Sequence, residues 1–130
     1  TIGNDMSARD IEGENPLYLP QAKVYTQSCA LGPVVTLAAD MPALEQVTIR
    51  LLIERQGQNV FDGFTPVGRM ARTPAELVDW LGRDNNFPHG VVLLTGTGVV
   101  PPDDFSLENG DTVYIDIAGI GRLSNPVTRS

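Results

Sequence analysis

Four polar residues in this chain have the types and neighbours that chemistry on a small anion would need. Asp5 and Arg9 lie in Gly3-Asn4-Asp5-Met6-Ser7-Ala8-Arg9-Asp10, where the chain leaves a strand-like segment. Asp5 offers the anionic oxygen that Mg²⁺ or Ca²⁺ prefers. On spacing alone, a turn or capping role is the commoner use of such an aspartate. Arg9 offers a planar fork for a carboxylate, or it pairs with Asp5 or Asp10. Lys23 sits between small and apolar neighbours in Gln21-Ala22-Lys23-Val24-Tyr25. Buried beside a cation, its pKa would fall and it could exchange protons near neutrality, whereas a snorkelling lysine would remain a surface charge. Thr97 belongs to Leu94-Thr95-Gly96-Thr97-Gly98. Glycines around threonine hydroxyls let backbone and side chain approach a small anion closely. The Gly-Lys-Ser/Thr ending of a Walker loop is absent.

Other reactive types have plainer readings. Glu12-Gly13-Glu14 reads as a flexible acidic loop. His89, the only histidine, stands between Pro88 and Gly90 as a turn residue. Cys29 lies among small and apolar residues and reads as a packed thiol rather than a nucleophile.

The elements that must position these residues are short, since ten prolines and thirteen glycines divide the chain. Val47 to Ile53 is rich in β-branched residues and largely alternates apolar with polar. Gln56-Gly57 then offers a turn and Asn59-Val60-Phe61 returns, which predicts a hairpin. Val91-Val92-Leu93-Leu94 reads as a buried strand, and Val113 to Ile117 as a half-exposed one. Asn109-Gly110, Gly119 and Gly121 supply turns. One helix is clearly signalled over 74–82: Thr73 is its N-cap, Pro74 its first residue and Glu76 completes a capping box. Leu77, Val78, Trp80 and Leu81 form its apolar side, and Gly82 ends it. The fold class is mainly β (α+β), in a single domain over 1–130.

Composition narrows the partners. With 42 % hydrophobic and 19 % charged residues the chain is globular rather than disordered. A formal net charge of −7 argues against nucleic acid and anionic membrane, and an acidic chain that binds an acidic metabolite needs a local cation. No apolar run has the length of a transmembrane helix. The single cysteine fits a reducing, cytoplasmic setting. A start at Thr1 within a strand suggests a fragment or a processed product.

In order along the chain, five segments resemble the fumarylacetoacetate hydrolase superfamily. They are Gly3 to Asp10, Gln21 to Tyr25, Ser28-Cys29-Ala30-Leu31-Gly32-Pro33, Leu94 to Gly98, and Gly110-Asp111 through Gly119-Ile120-Gly121-Arg122-Leu123-Ser124-Asn125-Pro126. The resemblance implies a mixed β-sandwich roll with the site at its mouth, and a Mg²⁺ site (Mn²⁺ or Ca²⁺ in its place) that chelates the carboxylate and 2-oxo group of a small 2-oxo acid. It makes Asp5 a metal ligand, Lys23 the lysine near the metal, and Thr97 a contact to the substrate carboxylate, with Arg9 at a motif arginine whose role varies. It also implies a homodimer. Two further carboxylate ligands, a Glu-x-Glu pair, belong upstream of the Asn-Asp-x-Ser motif in that family. The expectation is therefore a catalytic domain lacking its N-terminal strands and metal-ligand segment.

The stretch from Asp10 to Lys23 is similar to the branch of 2-keto-3-deoxy sugar acid dehydratases; hydrolases of the superfamily usually carry glutamine where Glu12 stands. The leading expectation is dehydration of such an acid, with Lys23 transferring a proton while Arg9 and Thr97 hold the carboxylate. The alternatives are C–C bond hydrolysis of a diketo acid such as an acylpyruvate, and an inactive, dimerising fragment.

Overall fold

In the computed structural model, which describes residues 1–129, the alternating segment that starts at Val47 becomes the centre of a four-stranded sheet. Strand β3 (Thr48–Arg55) turns at Gln56 and Gly57, both in the left-handed region that a tight hairpin turn requires, and returns as β4 (Gln58–Pro66). On the other side of β3 lies β5 (Thr112–Ile117), followed by β6 (Gly121–Pro126), giving the order β4-β3-β5-β6 with every neighbour antiparallel. Period-two alternation sends Ile49, Leu51 and Ile53 to one face and Arg50, Leu52 and Glu54 to the other. Ile53 pairs with Val113, and both are buried.

A second layer covers this sheet in part. Strand β1 (Ile2–Asp5) pairs antiparallel with β2 (Cys29–Gly32), with Asp5 opposite Cys29 and Gly3 opposite Leu31. Ile2 and Asn4 are buried while Gly3 and Asp5 face outward. The inner face meets β5 and β6. There the buried Asn4 donates from Nδ2 to Asn125 Oδ1 at 3.0 Å, a bond that joins the ribbon to β6. Ile2, Ala22, Val47, Val113 and Leu123 belong to the core. The fold class read from the sequence, mainly β with little helix, is the one observed.

Three local expectations change. The Val91–Leu94 run joins no strand and is 38–52 % exposed. A β-branched pattern records propensity but cannot supply a partner, and the Leu94 side chain of this run sits over Gly3. Cys29 is exposed, because register puts it on the outward face of the ribbon beside Asp5. The acidic segment at Glu12 is a short helix rather than a loop: α1 (Arg9–Glu14) starts with Asp10 and Glu12 in its first turn, where the helix dipole favours anions.

The expected helix is α2 (Pro74–Gly82), with its capping box formed. Thr73 N–H and Oγ1 both donate to Glu76 Oε2, at 2.7 and 2.8 Å. These bonds hold the Glu76 carboxyl below its usual range. Leu77 and Leu81 are half-buried, while Val78 and Trp80 stay exposed, and the Arg83 guanidinium lies 3.9 Å from the Trp80 ring centre. The exposed area totals 9381 Å², against about 6,700 Å² for a compact monomer of this length. Much apolar surface, including Leu31, Val34, Val35 and Leu37, therefore remains uncovered.

Candidate active site

Asp5 and Lys23 meet directly. Lys23 Nζ donates to Asp5 Oδ2 at 2.7 Å and to Ser7 Oγ at 2.6 Å. Both charged side chains are about one-third exposed, so the pair is neither buried in the core nor free in solvent. Backbone bonds set this arrangement. Ala8 N–H donates to Ala22 O at 2.8 Å and Met6 N–H to Ser28 O at 2.9 Å, which stitches the end of β1 to the segment that carries Lys23. Ala22 is wholly buried beside this seam, and Ser28 Oγ donates to the Lys23 carbonyl at 2.7 Å. The lysine is thus anchored through its backbone and aimed at the outward face of the ribbon.

Two acceptors take two of the three ammonium N–H groups, and no described residue takes the third. Asp5 Oδ1 likewise accepts no bond from the described residues. Ser7 went unmarked in the sequence reading. Its signal was there, since residues i and i+2 of an extended segment point the same way, which places Ser7 on the side of Asp5.

Arg9 goes elsewhere. Its guanidinium donates to Pro101 O at 2.8 Å, to Pro102 O at 3.2 Å and to Asp103 Oδ1 at 2.5 Å. Its partner is therefore neither Asp5 nor Asp10 but a residue more than ninety positions along the chain. The cleft beside it sets this one cation against Asp10, Glu12 and Asp103, and so repels a further carboxylate. Arg9 fastens the 101–103 turn to the start of α1.

Thr97 lies on the loop that connects the two layers. At one end Leu94 sits over Gly3, where a Cβ would come within 2.4 Å of its methyl group. At the other end Gly98 lies on β4, where a Cβ would meet Thr65 Oγ1 at 2.8 Å. Both glycines permit the close approach. Thr97 Oγ1 accepts from Val99 N–H at 3.2 Å, which leaves its own O–H to donate outward. Among the described residues no hydrogen bond joins Thr97 to Asp5 or Lys23, and Thr97 lines a groove shared with Arg69 and Arg72. His89 lies in a turn, as read from its neighbours.

With one end of β1 holding a carboxylate–lysine–hydroxyl cluster and a glycine-seated loop beside it, the chain belongs to the fumarylacetoacetate hydrolase C-terminal family, whose sequence profile matches residues 1–128. Among relatives, it is 48 % identical over 128 residues to a probable 2-keto-3-deoxyxylonate dehydratase of Haloferax volcanii, covering 98 % of this chain and 44 % of that protein. It is 43 % identical over 129 residues to the 2-dehydro-3-deoxy-D-arabinonate dehydratase of Saccharolobus solfataricus, covering 99 % of this chain and 43 % of that protein. Among solved structures, it matches a 2-keto-3-deoxy-D-arabinonate dehydratase complexed with magnesium and 2,5-dioxopentanoate, with TM-score 0.95 and 43 % identity, covering 100 % of this chain and 46 % of that one. The chain spans less than half the length of these relatives.

Proposed function

We propose that this chain forms the lysine-bearing part of a Mg²⁺-dependent dehydratase of 2-keto-3-deoxy sugar acids. The observation that carries the reading is the Asp5–Lys23–Ser7 cluster on the outward end of β1, in a chain aligned almost end to end with two named dehydratases. Among the described residues no three His, Cys, Asp or Glu side chains gather into a metal cluster. Asp5, with Oδ1 unengaged, suits one ligand position, and water, the substrate and other carboxylates complete the set. A divalent ion bound there supplies Lewis-acid polarisation of the substrate's 2-oxo group.

The chain's own part is proton handling. Asp5 and Ser7 fix the Lys23 ammonium, and its remaining N–H is suited to donate to a departing C4 hydroxyl. The C3 proton and the C4 hydroxyl leave as water, giving a C3=C4 enone that keeps its C5 hydroxyl. A C5 proton then leaves, C3 is reprotonated, and the resulting C4=C5 enol tautomerises to an oxo-acid semialdehyde. Thr97 is assigned to the carboxylate end of the substrate, with its O–H as the donor. Arg9 supports this end through the 101–103 turn rather than by contact.

The reading includes a homodimer in a reducing, cytoplasmic compartment. The uncovered apolar surface and the single, exposed cysteine support it. No described helix is long and apolar enough to cross a membrane.

The test is product analysis with Mg²⁺ and a 2-keto-3-deoxypentonate against an acylpyruvate, on the 130 residues and on the longest reading frame that carries them. Formation of 2,5-dioxopentanoate supports the dehydratase. Cleavage of the acylpyruvate alone reassigns the chain to the hydrolases, and the absence of both metal binding and turnover makes it an inert domain.

A further inference from the structure

Ser28 bonds to both segments that carry the Asp5–Lys23–Ser7 cluster. Its carbonyl accepts at 2.9 Å from the N–H of Met6, the residue between Asp5 and Ser7. That bond carries the β1–β2 pairing one step past Asp5 and Cys29. Its hydroxyl donates to the Lys23 carbonyl at 2.7 Å, and its N–H donates to Tyr25 O at 3.2 Å, closing the Tyr25–Ser28 turn. All three hydrogen-bonding groups of this half-buried residue are thus engaged by the segments on either side of the cluster. The turn itself is strained. Gln27 within it has φ 59°, in the left-handed region that is unfavourable for a residue with a Cβ. Such a conformation persists where its surroundings over-determine it, and the Ser28 bonds do so here.

Packing offers Lys23 little support on its C-terminal side, since Val24 is 77 % exposed and Tyr25 52 %. On its N-terminal side Ala22 is wholly buried, while the Lys23 N–H reaches Pro20 O only at 3.2 Å. The short bond from Ser28 Oγ therefore fixes the far end of the Lys23 residue. An alanine at position 28 would keep both backbone bonds, so the seam between the segments does not itself require a hydroxyl. What requires one is the angle at which the lysine side chain leaves the backbone. A flexible four-carbon stem carries any shift of the backbone out to Nζ. There the bonds to Asp5 and Ser7, at 2.7 and 2.6 Å, must be met together.

We propose that Ser28 is a positioning residue for Lys23. Its hydroxyl, held in the strained Tyr25–Ser28 turn, sets the lysine backbone so that one ammonium meets Asp5 and Ser7 at once. The inference rests on the dehydratase reading only for its effect on turnover. The placing of the ammonium stands on the geometry alone, so the two can fail separately.

Lys23 is the only lysine of the chain, so isotopic labelling of lysine nitrogen makes a single ammonium visible by nuclear magnetic resonance. In the 130-residue protein its signal is expected to stand apart from that of free lysine, with Asp5→Asn marking the shift of a lost partner. Ser28→Ala should move the signal in the same direction, and Ser28→Thr, which keeps the hydroxyl, should hold it near wild type. Ser28→Cys, a weaker donor, should fall between them and serves if the alanine variant does not fold. Turnover is measured with Mg²⁺ on the longest reading frame that carries these residues. There Ser28→Ala should lower kcat on a 2-keto-3-deoxypentonate roughly ten- to a hundredfold, the scale of a misplaced reacting group, with KM little changed. Thr73→Ala, which weakens the fold at α2 instead, should leave both kcat and the ammonium signal as in wild type. An ammonium signal that the alanine and cysteine variants leave in place would overturn the proposal, and so would a kcat loss that Ser28→Thr shares in full. A signal that moves as expected, in a protein that dehydrates no 2-keto-3-deoxypentonate, would keep Ser28 as the support of Lys23 and sink the dehydratase reading alone.

Discussion

Two ion-pair clusters at different places in this molecule use the same chemistry for different ends. At the close of β3, Arg55 holds Asp111 with two parallel bonds of 2.8 Å, also engages Glu108, and donates to Ser106 O at 2.9 Å. Asp111 is fully buried and accepts a further bond from Glu108 N–H at 2.8 Å. Arg55, with backing from that N–H, holds the Asp111 carboxyl below its usual range. At the end of β1, by contrast, Asp5 accepts among the described residues one side-chain bond, from Lys23, with Oδ1 left over, and Lys23 keeps one N–H that no described residue takes. A cluster whose donors and acceptors are matched fixes a turn. One with capacity left over, at a half-exposed edge, can still engage a ligand. Saturation, more than charge, separates scaffold from candidate site.

The sharpest break of this comparison concerns turnover at the open cluster. Lys23→Met in an active form of the protein should retain the fold and lose roughly two to four orders of magnitude in kcat, the range general acid–base groups supply. Lys23→Arg keeps the charge but titrates far too high to exchange protons, so it should be nearly as impaired. Near wild-type kcat in the arginine variant would show that Lys23 only neutralises Asp5.

At the saturated cluster the expected effect is on stability. Asp111→Ala leaves Arg55 without its buried partner and should lower Tm by roughly 10 °C or more in calorimetry. pH adds a second reading. The folded Asp111 carboxyl titrates below its unfolded value, so its contribution is complete above about pH 4 and is lost as pH falls through the folded value. An Asp111→Asn variant, already weakened at neutral pH, should therefore lose less Tm on acidification from pH 6 to 3 than the wild type does. Parallel curves would remove Asp111 from the acid-sensitive set.

A smaller effect tests how the layers are joined. Asn125→Ala removes the acceptor for the buried Asn4 amide and should cost about 1–2 kcal/mol by urea denaturation. If water reaches Asn4 the midpoint will hardly move. The smallest expected change is at the surface helix, where Thr73→Ala removes an N-cap and half of a capping box, for about 1 kcal/mol. An unchanged midpoint would mean that α2 contributes nothing to cooperative unfolding.

The sequence by itself determined the features that depend on near neighbours. The alternation from Val47 to Ile53, the Gln56-Gly57 turn and the Thr73-Pro74-Ala75-Glu76 cap all formed as read, because propensity, turn conformation and capping act over a few residues. Family motifs marked Asp5 and Lys23, which the fold brings into contact across eighteen positions. Tertiary structure decided what local pattern cannot encode. It gave Arg9 to Asp103 rather than to a nearby aspartate, turned Cys29 outward by register, and left Val91–Leu94 without a ladder. It also gathered Arg69, Arg72 and Thr97 around one groove. In each case the deciding partner lies far along the chain, or is missing from it, and electrostatic pairing and strand pairing depend on that partner's position in space rather than on sequence spacing.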